Sequence, residues 1–272
     1  MSEANSGADG IRAVGLQEGL LDWIASFPEP GLLMLSGAQG IGKSTAIDAV
    51  LKAKPRVCAL GIDDFYLTKS DRLRLARDVH PLFETRGPPG THDLPLLHET
   101  LDRLQNAGPE TIVRLPVFSK RDDDRLAESE WRSWRGRPDV ILLEGWLMGA
   151  LPDENAPHDA PMNDVETEDP DGIWRGFQET YLRIAYARLW DRANGFCHLK
   201  APAFEAVLNW RIQQEAGNLG VSEDDLPFER RAWVARFIQH YERITRRMLA
   251  GQHRAGFEIR LDRSRQIMPS RA

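Results

Sequence analysis

Only two cysteines, Cys58 and Cys197, occur among the 272 residues. So few exclude a disulfide-built scaffold, and both lie in apolar runs, which reads as buried structural thiols in a reducing cytosol. Long apolar runs are missing: no stretch approaches the roughly 20 residues that would span a bilayer. Positive charge is in deficit, with 35 Lys and Arg against 41 Asp and Glu and a net charge of -6. That balance argues against general affinity for nucleic acid or an anionic membrane. Met1 to Gly10 is polar and acidic, without a basic flank or an apolar stretch, and predicts a flexible tail rather than a secretion signal. The expectation is a cytoplasmic protein with neither a nucleic-acid nor a membrane partner. His80, His98, His158, His198, His240 and His253 show no metal-ligand spacing. No internal repeat or low-complexity linker divides the chain, so residues 11–272 are expected to form one domain.

What is present begins with eight residues, Gly37-Ala38-Gln39-Gly40-Ile41-Gly42-Lys43-Ser44, which fit the G-x-x-x-x-G-K-[ST] phosphate-binding loop. The apolar run Leu32-Leu33-Met34-Leu35 before it reads as a buried strand, and Thr45 to Leu51 after it as a helix. Glycines let successive N–H groups turn inward around a polyphosphate, and the helix N-terminus adds partial positive charge. Lys43 is expected to reach the β- and γ-phosphates, and the Ser44 hydroxyl to ligate Mg²⁺.

Short apolar runs alternate with helical patterns along the rest of the chain, which predicts a mostly parallel sheet covered on both faces. Strands are expected at 32–36, 56–62, 111–117, 139–144, 195–200 and 257–262. Helices are expected at about 13–26, 43–53, 94–106, 173–191, 203–216 and 229–250. The last carries Trp233, Phe237, Ile238, Tyr241, Ile244 and Met248 at near-helical spacing, a core-facing stripe. Residues 151–172 stand apart: eight acids, four prolines and no Lys or Arg lie between Leu151 and Asp171. By composition this is a solvated loop, and its length suggests a lid or an insertion.

The neighbours of the phosphate loop indicate the chemistry. The second strand ends in Asp63-Asp64-Phe65-Tyr66, so two carboxylates face the crevice where open α/β sheets bind ligands. One could accept a proton from a substrate hydroxyl, and one could help to hold Mg²⁺. Val140-Ile141-Leu142-Leu143-Glu144 is a second apolar strand ending in an acid, followed by Gly145-Trp146. Between them, Thr85-Arg86-Gly87-Pro88-Pro89-Gly90-Thr91-His92-Asp93 forms an irregular turn before a helix. Asp93 or Thr91 suits its N-cap, and Arg86 and His92 are free for substrate. Lys120, Arg121 and Arg125 form a basic group that could balance a substrate carboxylate or the moving phosphoryl group. Arg211 shares a helical face with Gln214 or Glu215, and could act as an arginine finger in cis.

These blocks together resemble one family, the plant-type D-glycerate 3-kinases and their fungal and bacterial relatives. The similarity rests on Gly37 to Thr45, Ile62-Asp63-Asp64-Phe65-Tyr66-Leu67-Thr68, Arg86-Gly87-x-x-Gly90-Thr91-His92-Asp93, Glu144-Gly145-Trp146 and Trp210-Arg211-x-Gln213-Gln214-Glu215. It spans about residues 30 to 262, and the layout is more distantly similar to uridine kinase, phosphoribulokinase and pantothenate kinase. Ser119 departs from it, standing where the family usually has Asp, and the residues after Trp146 look like the bacterial branch.

The resemblance implies a three-layer α/β P-loop NTPase fold with a helical lid, ATP and Mg²⁺ as cofactors, and D-glycerate as acceptor. It makes Asp63 the general base, with Lys43 and Arg211 the other catalytic groups. Gly37, Ala38, Gln39, Gly40, Ile41, Gly42, Lys43, Ser44 and Thr45 are expected to bind nucleotide, and Ser44, Asp63 and Glu144 the metal. Asp64, Tyr66, Arg86, Thr91, His92, Asp93, Lys120, Arg125 and Trp146 are the expected substrate contacts. A kinase of another alcohol, such as a nucleoside or a pantothenate-like acid, is the nearest alternative, though no aromatic pair and amide set for a base is evident. A nucleotide-binding regulator without turnover would need the loop but not the proton acceptor. No oligomeric state follows from the sequence.

Overall fold

The structure, a computed structural model, describes residues 15–268. The expected tail at residues 1–10 lies outside them. Chain order is α1 (Leu16–Ala25), β1 (Gly31–Gly37), α2 (Lys43–Ala53), β2 (Val57–Gly61), α3 (Lys69–Asp78), α4 (Leu94–Gln105), β3 (Ile112–Leu115), β4 (Phe118–Ser119), β5 (Asp124–Arg125), β6 (Arg132–Arg135), β7 (Val140–Gly145), α5 (Ile173–Tyr181), α6 (Ala187–Trp190), β8 (Gly195–Lys200), α7 (Phe204–Leu219), α8 (Phe228–Leu249) and β9 (Phe257–Arg260). A π-helical turn, Leu182–Tyr186, joins α5 to α6.

Five strands form one parallel sheet in the order β2-β7-β1-β8-β9. Successive residues of a strand point to opposite faces, so burial of every residue in β1 means that both faces of the sheet are covered. Leu32, Leu33, Met34 and Leu35 join Val140 to Leu143 in the main core. Cys58 and Cys197 are buried and free within it. Leu35 of β1 and Gly61 of β2 both pair with Glu144 of β7. The carboxyl ends of these three strands therefore lie level, and the segments that follow them converge.

Three expectations need correction. The run at 111–117 is not a strand of the parallel sheet: β3 pairs antiparallel with β6 in a separate ribbon. Ile112 and Arg114 stay accessible while Val113 and Leu115 are buried, the alternation of a ribbon with one covered face. The stripe on α8 buries Ile238, Tyr241, Ile244 and Met248, but Trp233 is 40% exposed and Phe237 faces a cleft. The acidic segment is solvated only in part. Ala156, Val165, Glu166 and Asp169 are buried in it, and its acids meet arginines from other elements. Asp169 pairs with Arg175 at 3.1 Å, Glu166 with Arg243 at 2.6 Å and Glu168 with Arg236 at 2.7 Å.

Helix α3 went unforeseen because its sequence is polar and buries only Arg72 and Ala76. A local signal was there: Thr68 caps it by accepting from the Asp71 N–H at 3.2 Å.

Candidate active site

The phosphate loop runs from the end of β1 to α2, whose first residue is Lys43. Gly40 has φ +75°, and a Cβ there would stand 2.8 Å from the Trp210 Cβ, so only glycine fits beneath α7. Lys43 Nζ donates to the Gly37 carbonyl at 2.6 Å and lies 3.8 Å from Glu144 Oε2. Ser44 and Thr45 are exposed at the start of α2, facing the cleft. The Gln39 Oε1 atom is buried without a hydrogen-bond partner.

A 3₁₀ turn at Ile62–Phe65 continues β2 and carries both aspartates, which point to different places. Asp63 faces the cleft, accepting from the Tyr66 hydroxyl at 2.6 Å and from Lys120 Nζ at 2.9 Å. Burial pushes its carboxyl up, but Lys120 and Tyr66 outweigh that and hold it at about 2. Asp64 turns away, accepting from the Phe118 N–H and from Arg132, both at 3.3 Å. Burial raises Asp64 against the pull of Arg132, and raises Glu144 against the pull of Lys43.

Lys120 sits in the turn between β4 and β5. Asp123, in the same turn, accepts from Arg86 and from the buried Arg72. Arg86 thus reaches the cleft with its guanidinium 5.6 Å from the Phe118 ring centre. Its carbonyl accepts from the Tyr241 hydroxyl at 2.7 Å, and the Gly87 carbonyl accepts from Trp146 Nε1 at 3.2 Å. Gly87 has φ +114°, and a Cβ there would overlap the Tyr241 hydroxyl at 2.0 Å.

The cleft has a volume of about 570 Å³, within the range of small-molecule sites. It brings together Gln39, Gly40, Ile41, Gly42, Lys43, Ser44, Thr45, Asp63, Tyr66, Arg86, Lys120, Glu144, Trp146 and Arg211 from the expected set. Five basic side chains line it (Lys43, Arg86, Lys120, Arg211 and Arg265) against two acids, Asp63 and Glu144, in a chain of net charge -6. The cleft is therefore cationic where the molecule as a whole is anionic, as a site for anions requires.

Several expected contacts do not line it. Gly37 and Ala38 lie behind the loop, where their carbonyls hold Lys43. Thr91 is fully buried and braces its own turn, accepting from the Gly87 N–H at 2.9 Å and donating to the Pro88 carbonyl at 2.8 Å. His92 is buried behind Tyr66, its ring 4.8 Å from that ring and its Nδ1 2.5 Å from the Tyr186 hydroxyl. Burial holds His92 down at about 4, so it is neutral. Asp93 caps α4 through the Leu96 N–H and pairs with Arg125 at 2.9 Å. For Asp64, Thr91, His92, Asp93 and Arg125 the expected direct contact is corrected to a place in the wall that supports the cleft.

Sequence reasoning also missed members. Gln213, Gln214 and Asn218 of α7, Phe237 and Tyr241 of α8, and Arg265 line the cleft. Arg265 Nε donates to the Gly40 carbonyl at 2.7 Å and its Nη2 to Gln213 at 3.0 Å. The block at Trp210 to Glu215 pointed to α7, but nothing local marks Arg265, which arrives by a tertiary return of the chain.

A strand-end phosphate loop, Glu144 on the adjacent strand β7, Asp63 in the turn that follows β2 and a cationic cleft define a P-loop kinase. No protein-family model matches the chain. An uncharacterized kinase of Schizosaccharomyces pombe is 29% identical over 233 residues, covering 78% of each chain. The chloroplastic D-glycerate 3-kinase of Arabidopsis thaliana is 29% identical over 232 residues, 78% of this chain and 47% of that protein. The solved structure of D-glycerate 3-kinase from Cryptococcus neoformans superposes with a TM-score of 0.75 at 25% identity, covering 94% of this chain and 96% of that one. In sequence and fold the chain is similar to the D-glycerate 3-kinase-like P-loop kinases. Among the described residues, no helix is long and apolar enough to cross a membrane.

Proposed function

We propose that the protein is an ATP-dependent, Mg²⁺-requiring kinase that phosphorylates a hydroxyl of a small hydroxy acid, D-glycerate. The observation that carries this is the trio of Asp63, Lys120 and Arg86, one carboxylate and two cations, facing the phosphate loop across one cleft. A hydroxy acid needs both: a proton acceptor for its hydroxyl and cations for its carboxylate.

The residues present fit Mg·ATP. The exposed Ser44 and Thr45 hydroxyls, the first turn of α2, the Gln39 amide oxygen left without a partner and the Glu144 carboxylate suit polyphosphate and a hard cation. No group of three or more His, Cys, Asp or Glu among the described residues could hold a metal unaided. That agrees with a cation bound through one or two carboxylates and the phosphates. Held there, Mg²⁺ would supply positive charge against the polyphosphate.

Lys43 exchanges the Gly37 carbonyl for phosphate oxygens. Arg211 faces the transferring group, and Asp63 takes the hydroxyl proton. The ion pair with Lys120 keeps Asp63 a poor base while the acceptor site is empty. A substrate carboxylate competes for Lys120, which frees Asp63 when a hydroxyl stands beside it.

The amides Gln213, Gln214 and Asn218, with Phe237 and Tyr241, favour one second reading, a nucleoside-sized acceptor. Gln213 lies on the phosphate-loop side, however, through Arg265 and the Gly40 carbonyl. A coupled ADP-release assay over small hydroxy acids, sugars and nucleosides tests the reading. Turnover with D-glycerate is expected; turnover with a nucleoside alone would replace the substrate assignment, and ATP binding without turnover on any acceptor would indicate a regulator.

A further inference from the structure

Arg211, which lines the cleft with the phosphate loop, is ion-paired with a carboxylate of its own helix. Its Nη1 lies 3.0 Å from Glu215 Oε2, one turn further along α7, and donates to Gln214 Oε1 at 3.4 Å. The other carboxylate oxygen belongs to a second arginine: Arg230 Nε donates to Glu215 Oε1 at 2.6 Å, and its Nη2 approaches the same oxygen. Each oxygen of one buried carboxylate thus has its own guanidinium.

The two arginines are not equivalent. Arg211 lines the cleft. Arg230 lies outside the lining, its side chain 43% exposed and its guanidinium 4.4 Å from the Trp233 ring centre. It also sits in the first turn of α8, where a cation opposes the helix dipole, so helix stability does not explain it. A buried carboxylate stripped of its sole partner is strongly destabilised. With Arg211 alone, moving that guanidinium onto a phosphoryl group would strand Glu215. With Arg230 in place, Glu215 keeps a charged partner throughout.

We propose that Arg230 is a positioning residue for phosphoryl transfer: it holds Glu215 so that Arg211 can leave that carboxylate for the transferring group. The inference rests on Arg211 being the arginine that faces that group.

The test compares Arg230→Met, Arg230→Lys, Arg211→Met and Arg230→Met combined with Glu215→Gln. Two readouts are taken: kcat and KM for ATP with D-glycerate, and affinity for ADP with Mg²⁺ and aluminium fluoride. In Arg230→Met, kcat should fall about tenfold with KM for ATP changed less than about twofold, because Arg211 stays on Glu215. Arg230→Lys should keep most of the rate. Adding Glu215→Gln to Arg230→Met should restore it, since an amide no longer retains Arg211; a merely structural role would not be rescued by a second core change. Wild-type kcat in Arg230→Met beside an impaired Arg211→Met overturns the inference alone, as does a double variant no faster than Arg230→Met. Should Arg230→Met not fold, the double variant against Arg211→Met decides. Wild-type kcat in Arg211→Met overturns the underlying reading of Arg211. Should the wild type not turn over D-glycerate, only the substrate assignment fails, and the aluminium fluoride affinities must show the same loss and rescue or the inference falls.

Discussion

Lys43 and Asp63 sit in opposite electrostatic states. Lys43 rests on backbone carbonyls beside a carboxylate whose acidity burial weakens, whereas Asp63 is pinned by Lys120 and Tyr66. Changing Lys43 to Ala removes the charge that meets the phosphates, and kcat should fall by about 10²–10³ or more in a protein that still folds. Near-normal steady-state turnover in folded Lys43→Ala would contradict the mechanism. Asp63→Asn keeps the shape but accepts no proton, and kcat should drop about 10²–10⁴ with KM for ATP little changed; a variant that kept most of its kcat would remove Asp63 as base. Residues in fixed-spacing blocks were legible because phosphate and proton chemistry demand particular types at particular places. Thr91, His92, Asp93 and Arg125 misled for a physical reason. A polar residue beside Gly and Pro reads as a ligand contact, yet turn bracing, capping and buried ion pairing call for the same types.

At the scale of elements, α8 links the acidic segment to the cleft. Arg236 pairs with Glu168, Arg243 with Glu166 and the buried Arg247 with Asp153 and with Glu179 of α5, while Phe237 and Tyr241 line the cleft. The sequence showed the eight acids but not their partners, which lie more than seventy residues away for Glu166 and Arg243, so the stretch looked solvated. Arg243→Ala leaves Glu166 buried without its charge partner and should destabilise the fold by about 3–5 kcal/mol in urea unfolding; a loss below about 1 kcal/mol would mean that water screens this pair. The turn at Gly87 is the second link, held between Trp146 and Tyr241. Gly87→Ala forces a Cβ into the Tyr241 hydroxyl at a positive φ and should lose about 2–3 kcal/mol of stability. An unchanged unfolding midpoint would show that Tyr241 moves aside freely.

For the whole molecule, the parallel sheet was legible because buried strands read as continuous apolar runs between helical patterns. The ribbon at β3 and β6 was not, since four residues of alternating burial carry no mark of which sheet they join. Burial also sets the acid behaviour. His92, His198 and His240 are each held at about 4, chiefly by burial, against about 6.5 in an unfolded chain. Between these values the unfolded state binds more protons, so their contribution is full above about pH 6.5 and is lost as the pH falls towards 4. Asp64, Glu144 and Glu179, raised by burial, protonate more readily in the folded state and ease the loss at its lower end. Urea midpoints should therefore decline between about pH 7 and 5, and a flat profile would mean that these imidazoles reach solvent.

The most direct measurement is phosphorus NMR of ATP, Mg²⁺ and D-glycerate with the wild-type protein and with Lys43→Ala. The expected result is a phosphate-ester resonance on glycerate growing in step with ADP in the wild type and absent in the variant. ATP consumed with no ester on glycerate, or an ester formed equally well by Lys43→Ala, would contradict the assignment.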